Sequence, residues 1–298
     1  RTGCDRRGVA LAGAVFTALC WLLSISPRVL AIDEAQALFA ANKERVCQVR
    51  VLDLGSGSKS SIGSGFWVTA DGYVVTNFHV VSDLVHNTGQ HRAEYLLESG
   101  RRGGLELVDI DVVNDLAVLK SDHQLAEFLE LEQRAPANGE RLFAMGNPHD
   151  LGLSIVEGTY NGLIEESLYE KIHFSGALNP GMSGGPTINR AGRVVGVNVA
   201  TGGNQLGFLV PVKHVARLLE RATSRPPLEQ ASYAETVAQK LFDNQAQYMR
   251  DMIARLPTET TRMNGFSVPG QLTPYFKCWG DTESGDKQLY TRTAVACY

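Results

Sequence analysis

Gly65-Phe66-Trp67-Val68-Thr69-Ala70-Asp71-Gly72-Tyr73-Val74-Val75-Thr76 holds two runs of aromatic and β-branched residues separated by Ala70-Asp71-Gly72. A tight turn needs a residue that takes positive φ at little cost, and Gly72 supplies it, so the stretch reads as a β-hairpin. The same pattern recurs outward from it, in Leu116-Ala117-Val118-Leu119 and in Arg193-Val194-Val195-Gly196-Val197. From Ile62 to about Val212 such runs alternate with Gly, Asn and Asp, which predicts many short strands forming a sandwich or barrel. Helical composition flanks this region. Asp33 to Glu44 precedes an extended stretch, Arg45 to Leu54, and a loop, Gly55 to Ser61; Lys213 to Arg221 places Val215, Leu218 and Leu219 on one face. Arg225-Pro226-Pro227 marks a boundary, beyond which Leu228 to Leu256 has helical spacing and an irregular tail carries Cys278, Trp279 and Cys297.

The 298 residues, 44% apolar, are enough for a substantial core. Basic and acidic residues, 28 and 32 in number, are interspersed and leave a net charge of -4. That balance excludes a nucleic-acid footprint and a polybasic membrane patch. The N-terminal segment differs: Arg6 and Arg7 precede an apolar run from Val9 to Ile25, and Val29-Leu30-Ala31 has the small-residue pattern of a cleavage site. Residues 1–31 therefore read as a signal peptide, with an uncleaved membrane anchor as the alternative, and the rest as exported to the periplasm or beyond. Of five cysteines, Cys4 and Cys20 fall in that segment. Cys278 and Cys297 are expected to form a disulfide closing a loop of about 20 residues, and Cys47, between Val46 and Val49, reads as a buried inert thiol.

Three segments carry chemistry. Thr76-Asn77-Phe78-His79-Val80-Val81 runs a strand into a histidine, the side chain suited to proton exchange near neutrality. Asn114-Asp115-Leu116-Ala117-Val118-Leu119 sets a carboxylate just ahead of an apolar strand. In Asn179-Pro180-Gly181-Met182-Ser183-Gly184-Gly185-Pro186 glycines let the backbone turn so that the amides of Gly181 and Ser183 point at one developing oxyanion. Together they supply a nucleophile in Ser183, a base in His79 and an orienting carboxylate in Asp115. Asp109 and Asp111 compete for that last role. His86, His91, His123, His149, His173 and His214 have no ligand spacing for a metal, and the chemistry calls for neither metal nor cofactor.

These blocks, with Gly63-Ser64-Gly65-Phe66 and Gly207-Phe208-Leu209-Val210-Pro211, resemble the chymotrypsin clan of serine proteases and in particular its HtrA/Deg members, over about residues 45 to 222. The order His, Asp, Ser, at separations of 36 and 68 residues, carries the resemblance. It implies an all-β, chymotrypsin-like double β-barrel with flanking helices. The protease domain would span 32–224, and 225–298 would be a helical and irregular extension that lacks the Gly-Leu-Gly-Phe-like loop of a PDZ module. It also implies a serine endopeptidase acting on proteins or peptides through an acyl-enzyme, and a homo-oligomer, often a trimer. Val199, Ala200 and Thr201 would pair with an extended substrate, and Ala177 would sit at the base of a specificity pocket without an acid, disfavouring basic P1 residues in favour of small or aliphatic ones. Met182 departs from the Asp of animal trypsins, which implies no activation by a freed N-terminus, and from the Asn common in HtrA-like enzymes. That departure keeps open a latent or chaperone-like form of the same fold.

Overall fold

Phe66 and Trp67 are neighbours in sequence but belong to two different cores. Side chains alternate across a strand, so a run that is apolar at every position must be buried on both faces. Trp67, Val74, Ala117 and Leu119 fill one cluster, while Phe66, Val75, Leu116 and Val118 face another. The computed structural model describes residues 34–122, 127–165, 167–203 and 205–254 and, further on, 260–263, 265–269, 278–283, 290 and 292–297.

The first barrel closes from β1 (Val46–Asp53), β2 (Lys59–Trp67), β3 (Tyr73–Thr76), β4 (His91–Leu96), β5 (Arg102–Asp111) and β6 (Leu116–Ser121), in the order β1-β2-β3-β6-β5-β4. The second closes from β7 (Arg141–Gly146), β8 (Ser154–Leu163), β9 (Ile172–Phe174), β10 (Pro186–Ile188), β11 (Val194–Thr201) and β12 (Gly207–Pro211), in the order β10-β11-β12-β9-β8-β7. The chymotrypsin-like double β-barrel expected from the sequence is therefore the architecture. The second barrel obeys the same alternation: Leu142 and Ala144 point into its own core, Phe143 and Met145 into a shared one. That shared cluster of Phe66, Val75, Val118, Phe143, Met145 and Val197 glues the barrels together and places any site between them in the seam.

The hairpin around Gly72 forms as read, with Phe66 opposite Val75, Trp67 opposite Val74 and Gly72 at φ 100°. Among the described residues, four α-helices flank the barrels: α1 (Glu34–Asn42), α2 (Phe78–His86), α3 (Val212–Ser224) and α4 (Tyr233–Ala254). Of these, α2 was not anticipated: the strand before His79 stops at Thr76, and Phe78-His79-Val80-Val81 begins a helix that buries Val80, Val81, Leu84 and Val85. β-branched residues misled the reading because tertiary burial overrides their weak helix preference. Beyond the boundary, α4 packs Tyr233 and Val237 onto the first barrel's core. The tail expected to be irregular instead pairs as two antiparallel ladders, Thr260–Met263 with Phe266–Pro269 and Cys278–Glu283 with Arg292–Cys297. Residues 1–31, with Cys4 and Cys20, lie outside the described residues, as does His123. Among the described residues no helix is long and apolar enough to cross a membrane.

Candidate active site

Of the three candidate carboxylates, only Asp115 reaches His79. Its Oδ2 lies 2.7 Å from His79 Nδ1, and its Oδ1 accepts the His79 backbone N–H at 2.9 Å. The second contact has a local cause: His79 is the second residue of α2, whose N-cap Asn77 offers no side-chain cap, so Asp115 satisfies one of the orphan amides there. The positive end of the helix also favours a negative charge at that point. One carboxylate thus fixes both the main chain and the ring of His79. Asp115 sits at φ 58° in the turn between β5 and β6, and Asn77 Nδ2 donates to its carbonyl at 2.8 Å. Asp109 is instead buried against Arg221 and Lys240, and Asp111 accepts from the backbone and side chain of Asn114.

The nucleophile loop belongs to the second barrel and is held through its carbonyls. Pro180 O accepts from His149 N at 2.8 Å, and Met182 O accepts from Gly185 N at 3.1 Å and Asn198 Nδ2 at 3.2 Å. In a trans peptide the N–H points opposite the carbonyl. The amides of Gly181 and Ser183, which belong to those two peptides, are therefore aimed away from His149 and Asn198, and neither meets an acceptor among the described residues. Gly181 is at φ 95°, and a Cβ there would collide with Asn147 O, so the position admits only glycine. Met182 is fully buried with Leu142, Tyr160, Phe174 and Leu209. An uncharged, packed side chain thus occupies the position before the serine.

Ser183 Oγ donates to Val199 O at 3.4 Å rather than to His79. Val199 falls at a register shift of β11 between Asn198 and Ala200, and β10 pairs with β11 only as far as Val197. Among the described residues the edge of β11 from Val199 through Ala200 to Thr201 consequently carries no strand on that side. A cavity of about 250 Å³ opens beside it, lined by Leu178, Asn179, Pro180, Val199 and Thr201 around Ser183. The residue lining this cavity is Leu178, buried, whereas Ala177, expected at the pocket base, is exposed next to it. Among the described residues no acidic side chain lines the cavity. The sequence had singled out neither Asn147 nor Asn198, and it quoted Ser64 without a role: each acts through backbone groups distant in the chain, for which no local spacing exists. Buried asparagines beside a glycine-rich loop are the one signal that points to them.

Residues 63–197 match the model of the trypsin-like peptidase domain family. A protein of Chlamydia trachomatis described as a probable periplasmic serine endoprotease, DegP-like, is 34% identical over 54% of this chain and 34% of its own length. The chain thus spans about a third of that relative. Among solved structures, that of Deg5 covers 62% of this chain and 91% of its own with TM-score 0.54 and 28% identity. The Rv3671c protease of M. tuberculosis, in its active form, shares the fold with TM-score 0.57 at 21% identity, over 65% of this chain and 87% of its own. Residues 63–197 thus carry a trypsin-like peptidase domain on a double β-barrel, and the chain is similar there to serine proteases of the HtrA/Deg type.

Proposed function

We propose that the protein is a serine endopeptidase that hydrolyses peptide bonds of protein substrates with Ser183 as nucleophile, His79 as base and Asp115 as its orienting carboxylate. One observation carries this: Asp115 grips both the backbone and the ring of His79, while across the seam the amides of Gly181 and Ser183 meet no acceptor among the described residues. Ser183 Oγ attacks the carbonyl carbon and its proton passes to His79 Nε2; the carbonyl oxygen, now negative, is received by the two amides. The imidazolium, stabilised by Asp115, protonates the leaving amine, and the C–N bond breaks to leave an acyl-enzyme that water hydrolyses by the reverse transfers. The unpaired edge of Val199, Ala200 and Thr201 adds the substrate as a strand. Leu178 beside it favours an aliphatic or small P1 side chain over a basic one.

The name of the chlamydial relative supports a periplasmic site of action, reached through export by segment 1–31, and an oligomeric assembly follows from the HtrA/Deg resemblance. Cys278 and Cys297 stand opposite each other in the register of their ladder, which supports a disulfide between them; a mass gain of two thiols on reduction and alkylation is expected. A latent resting form is the second reading, favoured by the Ser183 hydroxyl's donation to Val199 rather than His79. Labelling with a serine-directed fluorophosphonate separates the readings. The wild type labels and cleaves an unfolded protein substrate, Ser183→Ala does neither, and its turnover falls by about 10⁶-fold. No labelling of the wild type in any oligomeric state overturns the peptidase reading, whereas labelling only after addition of substrate establishes latency.

A further inference from the structure

Ser64 is fully buried and lies on β2, in the barrel opposite the nucleophile loop, 117 residues from the nearest part of it that it binds. Its contacts are concentrated on that loop. Ser64 N donates to Ser183 O at 2.7 Å, and Ser64 Oγ donates to Gly181 O at 2.8 Å. The same hydroxyl accepts from Asn147 N at 2.8 Å, with Asn147 Nδ2 at 3.4 Å. Its space is closed on the other side by Gly146, where an added Cβ would come within 3.0 Å of Ser64 Oγ and 2.8 Å of Met182 Cα.

The position of these bonds in the loop matters more than their number. The two candidate oxyanion donors belong to the Pro180–Gly181 and Met182–Ser183 peptides, both anchored from within the second barrel. The Gly181–Met182 peptide lies between them, and its carbonyl is taken by Ser64 alone among the described residues. A rotation of that middle peptide changes ψ of Gly181 and φ of Met182 and so swings the two flanking N–H groups out of convergence. Gly181, at φ 95°, has no side chain to resist such a rotation. The flanking hydrogen bonds end on the carbonyl oxygens and restrain those peptides without fixing their planes, so the tie on the middle carbonyl supplies a restraint that they lack.

We infer that the Ser64 hydroxyl is a positioning residue that sets the convergence of the Gly181 and Ser183 amides from across the barrel seam. This rests on the peptidase reading above. The oxyanion hole is then complete only when the first barrel is seated against the second, and the tie contains no ionisable group.

Ser64→Ala tests this against Ser121→Ala, which removes another buried hydroxyl of the first barrel, one that accepts from Trp67 Nε1 at 3.0 Å. With wild type labelled by the fluorophosphonate and Ser183→Ala unlabelled, the peptidase reading stands independently of the outcome here. Ser64→Ala is then expected to lower kcat and the labelling rate by about 30-fold with KM within about threefold, since losing one donor outright costs about 10²–10³ and a displaced one less. Ser121→Ala is expected to keep kcat within about twofold at a temperature where both variants are folded. Ser64→Thr, which restores a hydroxyl, recovers part of the lost kcat if it folds. The inference is overturned if folded Ser64→Ala keeps kcat and labelling within about twofold, or if Ser121→Ala loses as much kcat as Ser64→Ala does.

Discussion

The two halves of the site are built on opposite principles. On the first barrel, one side chain, Asp115, holds His79 by two hydrogen bonds, and the helix that carries His79 starts at the same point. On the second barrel, the loop around Ser183 is held by its carbonyls, each taken by a different residue: Pro180 by His149, Gly181 by Ser64, and Met182 by Asn198 with Gly185. On the proposed mechanism the acid–base half needs a charge at one place, so a single carboxylate serves. The nucleophile half needs two backbone donors to converge, and backbone direction is set only by fixing successive peptide planes.

The largest expected effect follows from the concentrated half. Asp115→Asn keeps an oxygen for the His79 backbone amide but turns an NH₂ toward Nδ1, forcing the tautomer that cannot accept from Ser183; kcat falls by about 10⁴-fold with Tm nearly unchanged. A loss below tenfold would mean the carboxylate is only a helix cap. Asn198→Ala attacks the distributed half. It removes one donor from each of the buried carbonyls Met145 O and Met182 O, the latter keeping Gly185 N, and orphans the Thr187 hydroxyl donated to Asn198 Oδ1. The expected result is a drop of about tenfold in kcat together with a loss of about 2 kcal/mol in stability, read by steady-state kinetics and denaturant unfolding. Unchanged kcat would show that the remaining ties suffice.

A smaller effect is expected at the linker between the barrels, where Glu132 is buried and accepts from the amides of Gln133 and Arg134, from Arg193 Nε and from Asn189 Nδ2. The Arg134 amide first, then Arg193 and Asn189, hold its carboxyl down at about 2. Its folded value lies below the unfolded one, so the stabilisation is fully present above about pH 4.5 and is lost as pH falls towards 2. Glu132→Gln should lower Tm by about 2–4 °C at neutral pH, with the difference from wild type vanishing near pH 2, and should leave kcat unaltered. A kcat change would extend the distributed half as far as the linker. The smallest effect is at Cys47, whose thiol burial pushes up beyond any reactive range. It should resist alkylation in the folded protein and react only on unfolding, with no effect on activity.

Much of this was legible because it is local or periodic. Runs such as Leu116-Ala117-Val118-Leu119, apolar at every position, announce strands buried on both faces, and the hairpin at Gly72 follows from one residue's freedom at positive φ. His79, Asp115 and Ser183 could be named because each sits in a short block whose residue types are themselves the chemistry. The start of α2 was not legible, since Phe78-His79-Val80-Val81 reads as strand by composition and becomes a helix because its apolar side packs into the first barrel's core. The strand that follows Asp115 favours it over Asp109 and Asp111, and the structure adds what occupies the other two: Arg221 and Lys240 for the first and Asn114 for the second. The resemblance puts Ala177 at the base of a specificity pocket; the cavity beside Ser183 is lined by its neighbour Leu178, and the path of that loop is not written in local spacing.

By itself the sequence determined the strands, the two apolar faces of each and the three side chains proposed for the chemistry, because those depend on residue type and short spacing. Only the tertiary structure decided where they meet and what holds them there. Ser64, His149 and Asn198 reach the Ser183 loop by hydrogen bonds to main-chain carbonyls, and a main-chain carbonyl is the same in every residue, so no pattern of side chains marks the partner in advance.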